Sequence, residues 1–255
     1  MKFPITPRPT FRYTDATTQL LDFAIVTYAV DPQKLREILP KSLTPDCFTL
    51  DDGREIAFVS AVPFRDVGFH FHFAPFITVS MGQTNYRAYV RRPDGQRVVY
   101  FFGTTLSGFW IRIPRDLWKL PWKTAKMQFD TQWEEDRLIS YVLKTQSDWG
   151  PSNLVMKGID QDMGRLDGFV DEDETATVLT HPLIGYYYRN DGTIGSYHVW
   201  HERLALKQAH VEKASFPVFE RLGLIDEETT VHSALVMPKT EFVICLPPSR
   251  APELE

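Results

Sequence analysis

The chain has 255 residues, 43% of them hydrophobic and 13% aromatic, with a formal net charge of -5. That balance speaks against a nucleic-acid binder, which needs a basic face to replace condensed counterions; Arg91-Arg92 and Arg112…Arg115 are too short to make one. No apolar stretch reaches the ~18 residues of a membrane-crossing helix, and the opening MKFPITPRPTFRYTD lacks a signal-peptide core, so a cytoplasmic protein without membrane contact is expected. Two cysteines, Cys47 and Cys245, cannot build a disulfide framework; a single bridge between them stays open.

Residues 1–15 and 247–255 read as loose ends of a single domain spanning 1–255. Leu20–Val30 reads as a first strand. Asp31-Pro32 then signals a helix start, with Asp capping free amides and Pro suited to the first helical position. From Glu55 the chain alternates through REIAFVSAVPF, FHFHF and FITVSMGQTNYRAYVRR, which all read as strands. Pro93-Asp94-Gly95 is a turn, and QRVVYFFGTTL returns antiparallel to close a hairpin. A short helix is expected at Pro114–Leu120. Strands follow at Thr124–Trp133, Leu138–Gln146 and Leu154–Ile159, then a helix at Asp171–Leu179 with an acidic first turn. Asn190-Asp191-Gly192 is a second hairpin signal. Gln208–Leu222 reads as a helix with a weak point at Pro217, and the last strands cover Val231–Leu246. Many hairpin-linked strands with few short helices imply a mainly β protein whose antiparallel sheet curls and closes.

TNYRAYVRRPDGQRVVYFF resembles the Glu-Leu-Asn-x-Arg-x-Tyr-Val…Val-Tyr-Phe-Phe pattern of the uncharacterised YqjF-like family. Leu120-Pro121-Trp122-Lys123-Thr124-Ala125-Lys126-Met127 resembles its Leu-Pro-Tyr-x-x-Ala-x-Met segment, and HVWH…LKQAHV…HSALV resembles its C-terminal elements. The resemblance spans roughly residues 20–246. That family is grouped with the acetoacetate decarboxylase-like proteins, which implies a cone-shaped barrel with a central cavity. It also implies chemistry through a lysine that condenses with a keto acid, without metal or organic cofactor.

Such a lysine must be neutral, held so by burial or a neighbouring cation. The decarboxylases carry two adjacent lysines in a Gly-x-Pro-Lys-Lys-x-Ala stretch. Here Trp122 stands at the nucleophile's place and Lys123 at its neighbour's. Lys126 shares the Trp122 side by parity, so Lys123 and Lys126 are the catalytic candidates. Gln83 stands where the family has a glutamate, and an amide cannot shuttle protons. By alternation Gln83, Asn85, Arg87 and Tyr89 share one face of their strand. That polar row could line a wet cavity, with Arg87 gripping a carboxylate. Trp122 and His232 complete the expected ligand contacts. His70 and His72 share a strand face, but no carboxylate follows to complete a metal site. The expected partner is a small molecule, a carboxylate or keto acid, and assembly into identical copies is left open. A non-catalytic pocket for an apolar molecule is the alternative.

Overall fold

The structure is a computed structural model that describes residues 2–108 and 112–254. The strands are β1 (Ala16–Val30), β2 (Thr44–Pro45), β3 (Cys47–Thr49), β4 (Glu55–Phe71), β5 (Val79–Arg91), β6 (Arg97–Leu106), β7 (Trp122–Glu134), β8 (Arg137–Ser147), β9 (Gly150–Asp162), β10 (Ile184–Tyr188), β11 (Ile194–Trp200), β12 (Lys207–Ser215) and β13 (Ser233–Arg250). The helices are α1 (Pro32–Ile38), α2 (Arg112–Trp118), α3 (Glu172–Thr180) and α4 (Pro217–Arg221). The expected mainly β architecture is present, with a sheet that closes on itself; it is mixed rather than wholly antiparallel, because β6 pairs in parallel with both β7 and β10.

Closure happens twice because two long strands fork. β6 pairs with β10 through Val99–Phe101 but with β7 through Thr104–Leu106. β13 pairs with β12 near Val236 but with β11 beyond Val243. Five strands, β13-β1-β4-β5-β6, are therefore shared between a wide ring completed by β7, β8, β9 and β12 and a narrow ring completed by β10 and β11.

The shared strands are buried on both faces. On β1, Ala24, Val26 and Tyr28 join one core, while Leu20, Phe23 and Ile25 join the other. On β5, Tyr86, Ala88 and Val90 face the first and Tyr89 the second. This period-two split is what a strand imposes when apolar material lies on both sides. Phe216 and Phe219, at the start of α4, pack their rings against Tyr28 and Tyr86 in the wide-ring core. Ala176, Val178 and Leu179 of α3 enter the other core.

Asp22 marks a break in the β1–β4 register and adopts φ +52°, a left-handed conformation that Asp tolerates better than most residues. Its buried carboxylate pairs with Arg65 and accepts from Thr131 Oγ1 at 2.8 Å and Trp133 Nε1 at 2.9 Å, tying β1 to β7. Tyr141 Oη donates to the Asp22 carbonyl at 3.0 Å.

Several expected local signals are met. Asp31 accepts from the Gln33 amide, with Pro32 at the first helical position, and Asp171 accepts from the Glu174 amide at the start of α3. Another expectation is corrected. Residues 207–215 form β12 against β9 rather than a helix. Pairing with β9 and packing of Ala209, Val211 and Ala214 on the wide-ring core override helical propensity there. Pro217, which has no amide to donate, opens α4 instead. Cys47 and Cys245 carry free thiols. Residues 247–250 belong to β13. Residues 2–15 cross the surface, where the Thr6 carbonyl accepts from Trp200 Nε1 and Arg8 pairs with Glu241.

Candidate functional site

The narrow ring encloses a cavity of about 90 Å³. Every strand of that ring contributes to its lining, from Leu20 on β1 through Asp66 on β4 and Arg87 on β5 to Phe101, Gly185, Tyr197 and Phe242. The wall is mostly apolar, and its polar groups come from β1, β4 and β5, from the end of α3, and from Tyr197 and His201 on and after β11.

Gln83, Asn85 and Arg87 all reach the cavity because they alternate along β5 on the face opposite Thr84 and Tyr86. Gln83 Nε2 donates to Asn85 Oδ1 at 2.8 Å, and Thr104 Oγ1 donates to the same oxygen at 2.8 Å. Arg87 Nη2 donates to the Leu179 carbonyl at 2.8 Å and to Tyr89 Oη at 3.2 Å. Arg87 Nε is buried and has no partner among the described residues. Tyr89 is buried and does not line the cavity. Its hydroxyl lies 3.0 Å from Ser60 Oγ, which lies 2.8 Å from Thr27 Oγ1, and it also donates to the Leu179 carbonyl. Tyr89 thus orients Arg87 from behind.

Arg65, Arg91 and Arg97 each pair with a buried aspartate. Arg87 has no carboxylate partner among the described residues; its bonds go to a carbonyl and a phenol. Asp66 lines the same cavity, and its side chain accepts one hydrogen bond there, from Thr18 Oγ1 at 3.2 Å. Burial pushes its carboxyl up to about 7, and the Thr18 hydroxyl only partly opposes that. Burial likewise lowers His201, whose Nε2 lies 2.9 Å from the Thr180 carbonyl and whose ring stacks on Phe242 with centroids 4.4 Å apart. Tyr197 is raised above its ordinary value, chiefly by burial.

The other sequence candidates lie elsewhere. Lys123 and Lys126 are exposed on β7 and line no part of the cavity. Trp122 is half-buried and packs on the narrow-ring core. His232 lines a separate, more open groove of about 380 Å³ with Arg54 and Asp167, its Nε2 3.0 Å from the Asp167 carbonyl. His72 Nε2 lies 2.8 Å from Thr17 Oγ1 and His70 Nδ1 lies 2.7 Å from the Gly68 carbonyl. Among the described residues no group of three His, Cys, Asp or Glu side chains could hold a metal ion. Asp66, Thr104 and His201 were not among the sequence candidates. Only the alternation of β4, where Val62, Phe64 and Asp66 share a face, hints at the first of them.

A family of uncharacterized conserved proteins matches residues 17–241. The chain belongs to the DUF2071 family. No curated protein matches it. Among solved structures this DUF2071 protein is similar to the enduracididine biosynthesis enzyme MppR complexed with pyruvate, at TM-score 0.62 and 11% identity over 98% of this chain and 92% of that one. It is also similar to acetoacetate decarboxylase from Legionella pneumophila, at TM-score 0.57 and 13% identity over 96% and 92% of the two chains. An acetoacetate decarboxylase-like enzyme from Sphingomonas wittichii RW1 matches at TM-score 0.60 and 11% identity, covering 94% of each chain. The fold of this DUF2071 protein is therefore acetoacetate decarboxylase-like.

Proposed function

We propose that the narrow-ring cavity binds a small carboxylate or keto acid, with Arg87 as its anchor. The observation that carries this is the lone guanidinium. A half-buried cation without a paired carboxylate has given up hydration that no counter-ion replaces, and an entering carboxylate would supply the missing charge. The volume of about 90 Å³ suits a molecule of a few heavy atoms, and pyruvate is the ligand of one structural neighbour. Asp66, whose carboxyl burial raises to about 7, would present a protonated carboxyl to the bound oxo acid from the same cavity wall. Any catalysis there would run on the Asp66 carboxyl as acid or base, since the described lining of the cavity includes no lysine.

The test is titration of the protein with pyruvate and with acetoacetate by calorimetry. Saturable binding is expected, weakened at least tenfold in Arg87→Gln, about the 1.5–3 kcal/mol of a hydrogen bond to a charged group. Binding that ignores Arg87 would sink the proposal. Borohydride reduction of the same mixtures, with mapping by mass spectrometry, separates iminium chemistry at Lys123 or Lys126 from the lysine-free route. A second reading, a non-catalytic pocket for an apolar molecule, draws on Leu20, Phe23, Val62, Phe64 and Phe101 in the wall. Copurification of an apolar compound without acid binding would favour it.

A further inference from the structure

We infer that Asn85 is the specificity-determining residue of this cavity, donating from its amide to the keto oxygen of an oxo acid whose carboxylate lies on Arg87; this rests on the carboxylate assignment above. Two local hydrogen-bond inventories lead to it. Arg87 Nη2 carries two protons, and both are used, one on the Leu179 carbonyl and one on Tyr89 Oη. Each forked edge of a guanidinium that serves a carboxylate with two parallel bonds includes that nitrogen. Arg87 is thereby left with single donors, among them the buried Nε. It can fix a charge but not, by a fork, the orientation of the ligand.

The second inventory is that of Asn85. Its Oδ1 accepts from Thr104 Oγ1 and from Gln83 Nε2, each at 2.8 Å. Two donors occupy the two lone pairs of that oxygen. The amide is therefore held with Nδ2 as its free end, and Nδ2 has no partner among the described residues. Asn85 lines the cavity two residues before Arg87 on the same strand face. Two residues advance a strand by about 6.6 Å, which suits two acceptor groups on one short molecule, a carboxylate and a carbonyl. Thr104, on the neighbouring strand β6, is the positioning residue: without its hydroxyl only Gln83 Nε2 holds the amide in this orientation.

Titration of the full chain with pyruvate and with propionate, which lacks the keto oxygen, tests this. The wild type is expected to prefer pyruvate about tenfold, the scale of one well-made hydrogen bond. In Asn85→Ala the preference should fall to about one, whereas Arg87→Gln should weaken both acids alike. Thr104→Val should lower the preference part-way while the melting temperature tracks wild type; Thr104→Ser should restore it. If an alanine variant fails to fold, Asn85→Ser serves in its place. Equal affinity for the two acids in the wild type, or a preference that survives loss of the Asn85 amide, overturns the role of Asn85 and leaves Arg87 as anchor. Failure of both acids to bind removes both assignments.

Discussion

The Phe101 ring occupies the space beside the α-carbon of Gly185: a β-carbon added there would lie 2.2 Å from Phe101 Cε2. Phe101 in turn stacks on Tyr197 with centroids 5.4 Å apart, and all three residues line the cavity. Gly185 thus leaves room for the ring that closes the wall. Gly185→Ala should drive Phe101 inward. Overpacking of this kind costs about 1–3 kcal/mol, and the cavity should shrink. The expected outcome is a lower melting temperature together with loss of pyruvate binding. Unchanged affinity would show that Phe101 does not bound the ligand.

Asp66 should make stability depend on pH. Its carboxyl is raised from 3.8 to about 7 by burial, so the folded protein holds a proton there that the unfolded chain releases. Stability is full at low pH and is lost as pH rises from about 4 to about 7. Asp66→Asn removes the charge and should stabilise the protein at pH 8 by up to ~4 kcal/mol, at 1.36 kcal/mol per pKa unit, with little effect at pH 4. Urea melts at the two pH values check this. The same proton should favour an anionic ligand, so pyruvate affinity should fall above pH 7 in the wild type and less so in the variant.

Asp22 is a structural carboxylate. Asp22→Ala would leave Trp133 Nε1 and Thr131 Oγ1 without their acceptor and put alanine at φ +52°. A loss of about 3 kcal/mol or more is expected from unmet buried donors and backbone strain. Asp22→Asn keeps an acceptor and tolerates the backbone, so it should lose less. The urea midpoints of the two variants should rank in that order.

His181 couples the N-terminal segment to pH. Phe3 packs on its ring at 4.7 Å, and Thr6 Oγ1 lies 2.9 Å from its Nε2. Burial, helped by His201, lowers its pKa from 6.5 to about 4. The packed segment therefore favours neutral imidazole, and its attachment should weaken as pH falls from 6.5 toward 4. Limited proteolysis within Phe3–Arg8, normalised to the protease's own pH profile, should speed up between pH 7 and pH 5. His181→Phe should abolish that dependence.

Much of the fold could be read from local rules. The Pro93-Asp94-Gly95 turn with its flanking alternation gave the β5–β6 hairpin, and the same alternation placed Gln83, Asn85 and Arg87 on the cavity side. Two kinds of information lie outside such rules. The first is long-range pairing: nothing local says that residues 207–215 add to β9, so an amphipathic stretch read as a helix. The second is environment. The pleat sends Arg65 and Asp66 to opposite faces of β4, but only closure of the narrow ring buries Asp66, while Arg65 reaches Asp22 on the other side. Thr104 orients Asn85 only because β6 lies beside β5 at that point.

The shared wall has a consequence for change at the site. Along β5 the odd-numbered side chains from Gln83 to Arg87 meet the small chamber of the narrow ring, while Thr84, Tyr86 and Ala88 hold the opposite core. The lining of that chamber can therefore be rewritten at every second position without disturbing the packing behind it. A frame shift of one residue would exchange the two sets, placing tyrosine in the chamber and arginine among the aromatic rings of α4. Selection can alter what the chamber accepts by substitution, but hardly by insertion or deletion in this strand.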